Sequence, residues 1–228
     1  MNDYRILDLF SGIGGFSLGL ERAGMRTVAF CERDGYARRV LKKHWPTAWL
    51  YEDVTTLTRK RLNSDGIFPN VVCGGFPCQD ISTAGKGAGI TGSRSGLWKE
   101  IVRLVREIRP RYVIAENVSA LRSKGLNVVL SDLASVGYDA EWHCIPASAI
   151  NAPHRRDRVW VMAYAQSIGR AWEPRHVTKS DWWAREPGVG RVVDGFPGRV
   201  DRIRCLGNAL VPQIAELIGR AIIEADSP

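Results

Sequence analysis

The residue with the clearest capacity for chemistry is Cys78, at the end of the run Val71-Val72-Cys73-Gly74-Gly75-Phe76-Pro77-Cys78-Gln79. A β-branched stretch leads into a glycine-proline turn. Gly74 and Gly75 allow backbone angles closed to other residues, and Pro77 fixes the angle just before the thiol. An isolated cysteine is more often a small buried apolar residue. Here the context presents it on a stiff loop past a strand end, the edge where α/β proteins bind ligands. A thiol held there can act as a nucleophile once its neighbours favour the thiolate.

Three further groups can join it. Glu116, beside Asn117, ends an expected strand that should open on the same sheet edge. A single glutamate is usually solvated surface; the shared edge is what makes this one a candidate. The run His154-Arg155-Arg156-Asp157-Arg158 could be a solvated charge cluster. Arg156 and Arg158 alternate, however, so in an extended segment they share a face, where two guanidiniums can clamp a carboxylate or a phosphate. The loop Phe10-Ser11-Gly12-Ile13-Gly14 follows a strand and opens a helix, so its backbone can approach a ligand beside helix N–H groups. Glu32 closes the next strand about twenty residues on, a spacing at which an acid meets ribose hydroxyls. Asp53, expected at the end of the third strand, can reach an adenine edge. Together these describe a site for an adenosine-containing cofactor. Ser17 replaces the third glycine of the dinucleotide fingerprint, so a nicotinamide cofactor fits less well, and Gly85-Lys86 lacks the flanking residues of a P-loop.

The elements that must position these groups follow from pattern and punctuation. Strands are expected over 5–9, 27–31, 50–54, 71–73, 111–115, 139–145 and 158–163. Helices are expected over 16–23, with Gly24 as its cap, from Asp34 to residue 44, over 97–108 and over 126–136, with a last helix opened by Gly207-Asn208. The stretch 82–95 is rich in Gly, Ser and Thr and reads as a loop just after the cysteine. Alternating strands and helices predict an α/β fold with a doubly wound, mostly parallel sheet. Between 166 and 202, prolines, glycines and Trp172, Trp182 and Trp183 hold no period, which marks a small irregular insertion. The expected division is a catalytic domain from 1–165 and 203–228 around an insertion at 166–202.

The chain has 228 residues, 45% hydrophobic and 25% charged, the composition of a soluble globular protein with one sizeable core. No run is long enough to span a membrane and the N-terminus lacks a signal peptide's apolar segment, so a cytoplasmic location is expected. Five cysteines, an odd number without a C-x-x-C pair, and four scattered histidines argue against a disulfide framework and a metal site. Thirty-two Lys and Arg against 24 Asp and Glu leave +8, which favours a polyanionic partner without establishing one.

Taken together, the motifs resemble the cytosine-5 DNA methyltransferases. The resemblance is carried by Asp8-Leu9-Phe10-Ser11-Gly12-Ile13-Gly14-Gly15-Phe16, Gly75-Phe76-Pro77-Cys78-Gln79, Glu116-Asn117-Val118, His154 to Arg158 and Leu206-Gly207-Asn208-Ala209. They stand in the family's order and cover most of 4–164 and 203–223. His154 stands where the family usually has Gln, and Arg33 where an apolar or aromatic residue often stacks on adenine. The resemblance implies a Rossmann-like domain that uses S-adenosyl-L-methionine to methylate carbon 5 of a flipped-out cytosine in double-stranded DNA. It implies Cys78 as nucleophile, Glu116 as the acid at the ring nitrogen, Arg156 positioning Glu116 and the base, and Arg158 supporting the loop or the ring oxygen. It implies a cofactor site built from Phe10, Ser11, Gly12, Ile13, Gly14, Glu32, Arg33, Asp53, Val54, Gly75, Pro77, Leu97 and Asn208, with no metal. It places target recognition in 166–202, short enough that the enzyme reads a short sequence, reads loosely or uses an auxiliary specificity partner. A monomer, bacterial or phage-encoded in a bacterial host, completes the expectation. A tRNA cytosine-5 methyltransferase and a nonenzymatic DNA-binding regulator on the same fold are the alternatives. A zinc cytidine deaminase is set aside because Ile81 stands where its second cysteine would be.

Overall fold

The computed structural model describes residues 3–77, 96–168 and 209–227. Its strands are β1 (Arg5–Leu9), β2 (Arg26–Cys31), β3 (Trp49–Tyr51), β4 (Val71–Gly75), β5 (Tyr112–Val118), β6 (Tyr138–Ile145) and β7 (Arg158–Ala165). Its helices are α1 (Gly15–Arg22), α2 (Gly35–His44), α3 (Arg59–Ser64), α4 (Leu97–Ile108), α5 (Leu121–Lys124), α6 (Leu126–Ser135) and α7 (Pro212–Ala225).

One seven-stranded sheet forms, in the order β3-β2-β1-β4-β5-β7-β6. The first five strands pair in parallel, and β7 runs antiparallel between β5 and β6. This is the doubly wound, mostly parallel α/β sheet that the sequence predicts. The strand order reverses between β1 and β4. At such a switch point the loops leaving neighbouring strands diverge to opposite faces and leave a crevice. The glycine loop after β1 and the segment leading to Cys78 after β4 both leave the sheet there.

The central strands are buried on both faces and so read as near-continuous apolar runs. One face packs Leu7, Leu9, Val72 and Val113 against α3, α4 and α6. The other packs Ile6, Val71, Ile114 and Trp160 against α1 and α7. The α4 stripe of Ile101, Leu104 and Val105 is fully buried, as its helical spacing predicts. Although α7 is distant in sequence, it lies against α1, and its end is tied down by Asp226. That carboxylate accepts from Tyr4 Oη at 2.7 Å and from Tyr112 Oη and Arg111 Nη2 at 2.8 Å each.

Several boundaries differ from expectation. β3 stops at Tyr51 rather than running to residue 54. Asp53 instead folds its own turn, its Oδ1 accepting from Thr55 N and Oγ1 at 2.9 and 2.8 Å, and such side-chain bonds compete with a strand ladder. β5 runs on through Glu116 to Val118 because β7 pairs with it over that length. α3, not anticipated, starts where Thr58 accepts from Arg61 N. α7 begins only at Pro212, which suits a first helical position. Of the expected insertion, only the short turn Gln166–Ile168 falls within the described residues.

Candidate active site

The rim shared by β4, β5 and β7 holds a buried carboxylate. Gly75 pairs with Glu116 in the β4–β5 ladder, and Glu116 pairs with Trp160 across β7. The Glu116 side chain is 12% exposed, and its Oε1 lies 2.9 Å from Arg158 Nε. A Cβ on residue 75 would sit 3.1 Å from Glu116 Oε2, so glycine is what leaves the carboxylate room. Burial pushes the Glu116 pKa up to about 6, against the pull of the Arg158 and Arg156 charges. An acid with this midpoint is populated in both protonation states near neutrality, which suits proton transfer.

The two arginines reach it differently from expectation. Arg156 has φ 35°, in the left-handed region, so the alternation of an extended segment does not apply there. Its guanidinium donates to the carbonyl of Ala209, just ahead of α7. Arg158, the first residue of β7, pairs directly with Glu116. The sequence pattern put two charges near one acid, and both charges act on Glu116. Pairing with β5 orients Arg158, while Arg156 sits in the bend before it.

Asn117 joins this rim to the chain that approaches Cys78. It is 3% exposed. Its Nδ2 donates to the Phe76 carbonyl at 3.1 Å, and its Oδ1 accepts from Val118 N at 2.8 Å. Phe76 packs on Trp98 with ring centroids 5.1 Å apart, and Trp98 Nε1 donates to Asp132 at 2.9 Å. The backbone is therefore pinned just before Pro77. Cys78 and Asn208 themselves lie outside the described residues. Of the buried thiols that are described, Cys31 is pushed up to about 12 and Cys73 well above its ordinary value, chiefly by burial, so both stay neutral.

A second carboxylate sits across the switch point. Glu32 accepts from Gly12 N through Oε2 and from Asp34 N through Oε1, each at 2.7 Å. Asp34 then caps α2 through Tyr36 N and Ala37 N. One glutamate thus ties the glycine loop to the start of the next helix. Phe10 and Gly12 both take left-handed backbone angles, φ 53° and 55°, and a Cβ on Gly12 would meet nothing within 4 Å. At Gly14 the loop instead presses on Trp45, whose ring lies 2.6 Å from where a Cβ would be. Ser11 donates to the Asp8 carbonyl at 2.6 Å, Ile13 is half-buried, Val54 is buried behind the Asp53 turn, and Arg33 is exposed beside Asp53, whose pKa its charge helps to lower after the dominant bonds from Thr55. Leu97 and Pro77 are half-buried on the neighbouring segments. The space before Gly12 is open and is bordered by an acid with acceptor capacity left for a ligand's hydroxyls.

Sequence reasoning missed Asp8 as a structural group. It is fully buried, and its Oδ2 accepts from Ser17 Oγ at 2.8 Å and Ser17 N at 3.3 Å. Burial raises its pKa to about 7, with the Ser17 bonds opposing. The available signal was Ser17 itself: a serine at the third glycine position needs a partner inside the strand–helix junction. Among the described residues, no cluster could hold a metal ion and no helix is long and apolar enough to cross a membrane.

A sheet with this switch point, a glycine loop bridged to an acid, and a buried glutamate–arginine pair beside the strand that leads towards Cys78 define a Rossmann-like methyltransferase. The model of the C-5 cytosine-specific DNA methylase family matches residues 4–196, and the chain belongs to that family. The type II methyltransferase M2.BsuMI of Bacillus subtilis is 37% identical over 167 residues, 70% of this chain and 41% of that protein. The type II methyltransferase M.CviJI of Paramecium bursaria Chlorella virus IL3A is 35% identical over 192 residues, 81% of this chain and 50% of that one. The chain spans about half the length of the curated relatives it matches. A structure described as a DNA modification methyltransferase encoded in an E. coli prophage aligns with TM-score 0.65 at 26% identity, over 78% of this chain and 52% of that one. Spodoptera frugiperda DNMT2, at 20% identity and TM-score 0.63 over 76% and 53%, shares the fold.

Proposed function

We propose that this chain methylates carbon 5 of cytosine in DNA through a covalent adduct on Cys78. The observation that carries the reading is the buried Glu116, paired with Arg158 and lodged against Gly75 three residues before that cysteine. A cytosine in a duplex must leave the stack to reach such a site, at a cost of a few kcal/mol. The Cys78 thiolate adds to carbon 6 of the ring. Glu116 gives or shares a proton at the ring nitrogen next to the amino group, which moves electron density onto carbon 5. Bound S-adenosylmethionine supplies an electrophilic methyl group for the carbon so activated. Water then takes the carbon 5 proton, and the thiolate leaves as the ring double bond re-forms. Arg158 holds the Glu116 carboxylate in place, and Arg156 fixes the approach of α7 to the rim.

The donor is held by the 10–14 loop with Glu32 at the ribose and Asp53, Val54 and Arg33 at the adenine side. Gly75, Pro77, Leu97 and Asn208 complete the wall. Arg33 offers a flat guanidinium where the family often has an aromatic face, and such a group stacks on a base. The catalytic domain is 1–165 with 203–228, and 166–202 is the target-recognition insertion. Double-stranded DNA is the partner, read as a monomer in the cytoplasm of a bacterial host, with an auxiliary specificity protein as the means of extending a short reader. The Pro77-Cys78-Gln79 triplet and the family match favour DNA over tRNA, and intact Cys78, Glu116 and Arg156 favour an enzyme over a regulator.

Cys78→Ala should abolish transfer of tritiated methyl groups to duplex DNA while S-adenosylhomocysteine binding persists. Retained turnover would overturn the nucleophile. Transfer by the wild type to tRNA but not to duplex DNA would overturn the substrate.

A further inference from the structure

Arg103 lies on α4, outside the acid rim and the glycine loop, and its bonds are unusually divided. Nε donates to Glu100 Oε2 at 2.8 Å, and Nη1 donates to Glu107 Oε1 at 2.7 Å. These carboxylates, one turn before and one turn after on the same helix, fix the plane of the guanidinium. Nη2 then forks to two carbonyls of the loop after β3, Val54 O at 2.9 Å and Leu57 O at 2.8 Å. Glu107 makes a second tie to the same region, accepting from Arg59 N at 2.9 Å, while its carbonyl accepts from Arg59 Nη1 at 3.1 Å. Hydrogen bonds inside 53–57 are local: Thr55 to the Asp53 side chain, Thr56 N to Asp53 O, Leu57 N to Val54 O. They shape the turn without saying where it sits relative to the sheet. The fork does that, together with the buried side chains of Val54 and Leu57.

We propose that Arg103 is a positioning residue for the adenine end of the cofactor site. It sets the height of Asp53 and Val54 relative to Glu32 and couples that loop to α4, the helix that also carries Leu97. This rests on the reading that 53–54 faces adenosine. A planar fork with five N–H groups is what the arrangement uses; a lysine ammonium offers three donors from one point and cannot span two carboxylates and two carbonyls.

The test uses the full chain with Arg103→Lys and Arg103→Met. Calorimetry would follow S-adenosylhomocysteine and adenosine separately, and anisotropy would follow duplex DNA. Both nucleosides should bind at least tenfold more weakly to either variant, by the same factor, because the perturbed end is common to the two. KM for S-adenosylmethionine should rise by that factor while kcat falls less than threefold, and the Kd for DNA should stay within twofold. Nucleoside affinities within twofold of wild type, even with a lowered melting temperature, would overturn the proposal and leave a purely structural arginine. If Arg103→Met does not fold, Arg103→Lys decides. If the wild type binds neither nucleoside, the functional reading fails rather than the role of Arg103.

Discussion

Glu32 and Glu116 stand on opposite sides of the switch point, and their surroundings divide their work. Glu32 is answered by two backbone N–H groups, from Gly12 and Asp34, in a part-buried setting. Glu116 is answered by Arg158 in a setting dry enough to raise its midpoint to about 6. Backbone donors hold a carboxylate still and leave lone pairs for a ligand's hydroxyls, which is what binding asks. Desolvation against a guanidinium keeps a proton within reach, which is what acid–base chemistry asks. The same side chain becomes a clasp on one rim and an acid on the other because of what faces it.

The strongest way to break this contrast is Glu116→Gln. The amide keeps the shape but cannot exchange the proton, so turnover should fall by about 10²–10⁴, with S-adenosylhomocysteine affinity unchanged. Equal losses of rate and cofactor affinity would merge the two rims into one site. Gly75→Ala comes next. Its Cβ would press on Glu116 Oε2 from 3.1 Å, and a shift of this kind should slow transfer of tritiated methyl groups by up to about 100-fold.

Arg158→Gln sharpens the electrostatic half. Arg158 is the largest influence favouring the charged form of Glu116, so without it the midpoint should move above about 6. Carbon-13 NMR of labelled glutamate would follow it, and an unmoved midpoint would assign the effect to Arg156. The sign for stability follows from the same shift. Because the folded pKa exceeds the ordinary 4.5, the contribution of the neutral acid is full below about 4.5 and is lost as pH rises through about 6, roughly 2 kcal/mol for this group.

The smallest effect on methyl transfer concerns Asp8, between the two rims, whose titration bears on stability instead. Its folded pKa of about 7 against an ordinary 3.8 means that stability held by the neutral acid is present below 3.8 and lost as pH rises through about 7. Asp8→Asn should therefore lose less melting temperature than the wild type between pH 5 and pH 8. Parallel losses in scanning fluorimetry would show that the carboxyl does not titrate there.

Much of the scaffold was legible because its signals are local. Asp34 announces α2 with a side-chain cap, the α4 stripe repeats at helical spacing, and Gly-Gly-Phe-Pro marks the end of β4. What escaped depended on partners far along the chain. The Asp53 turn looked like a strand end because its competing bonds to Thr55 are invisible to an apolar count. α3 carries one buried residue, Leu62, too little periodicity to detect. Asp8 lay hidden in an apolar run.

The order of motifs, the cysteine loop and the presence of acids at strand ends were written in residue type and spacing, because turns, caps and periodicity act over a few neighbouring residues. Tertiary structure alone decided that Arg158 pairs with Glu116, that this carboxylate is desolvated, and that Arg103 grips the Asp53 loop. Those outcomes depend on strand pairing and on the removal of water. Both arise only when segments distant in sequence close on one another.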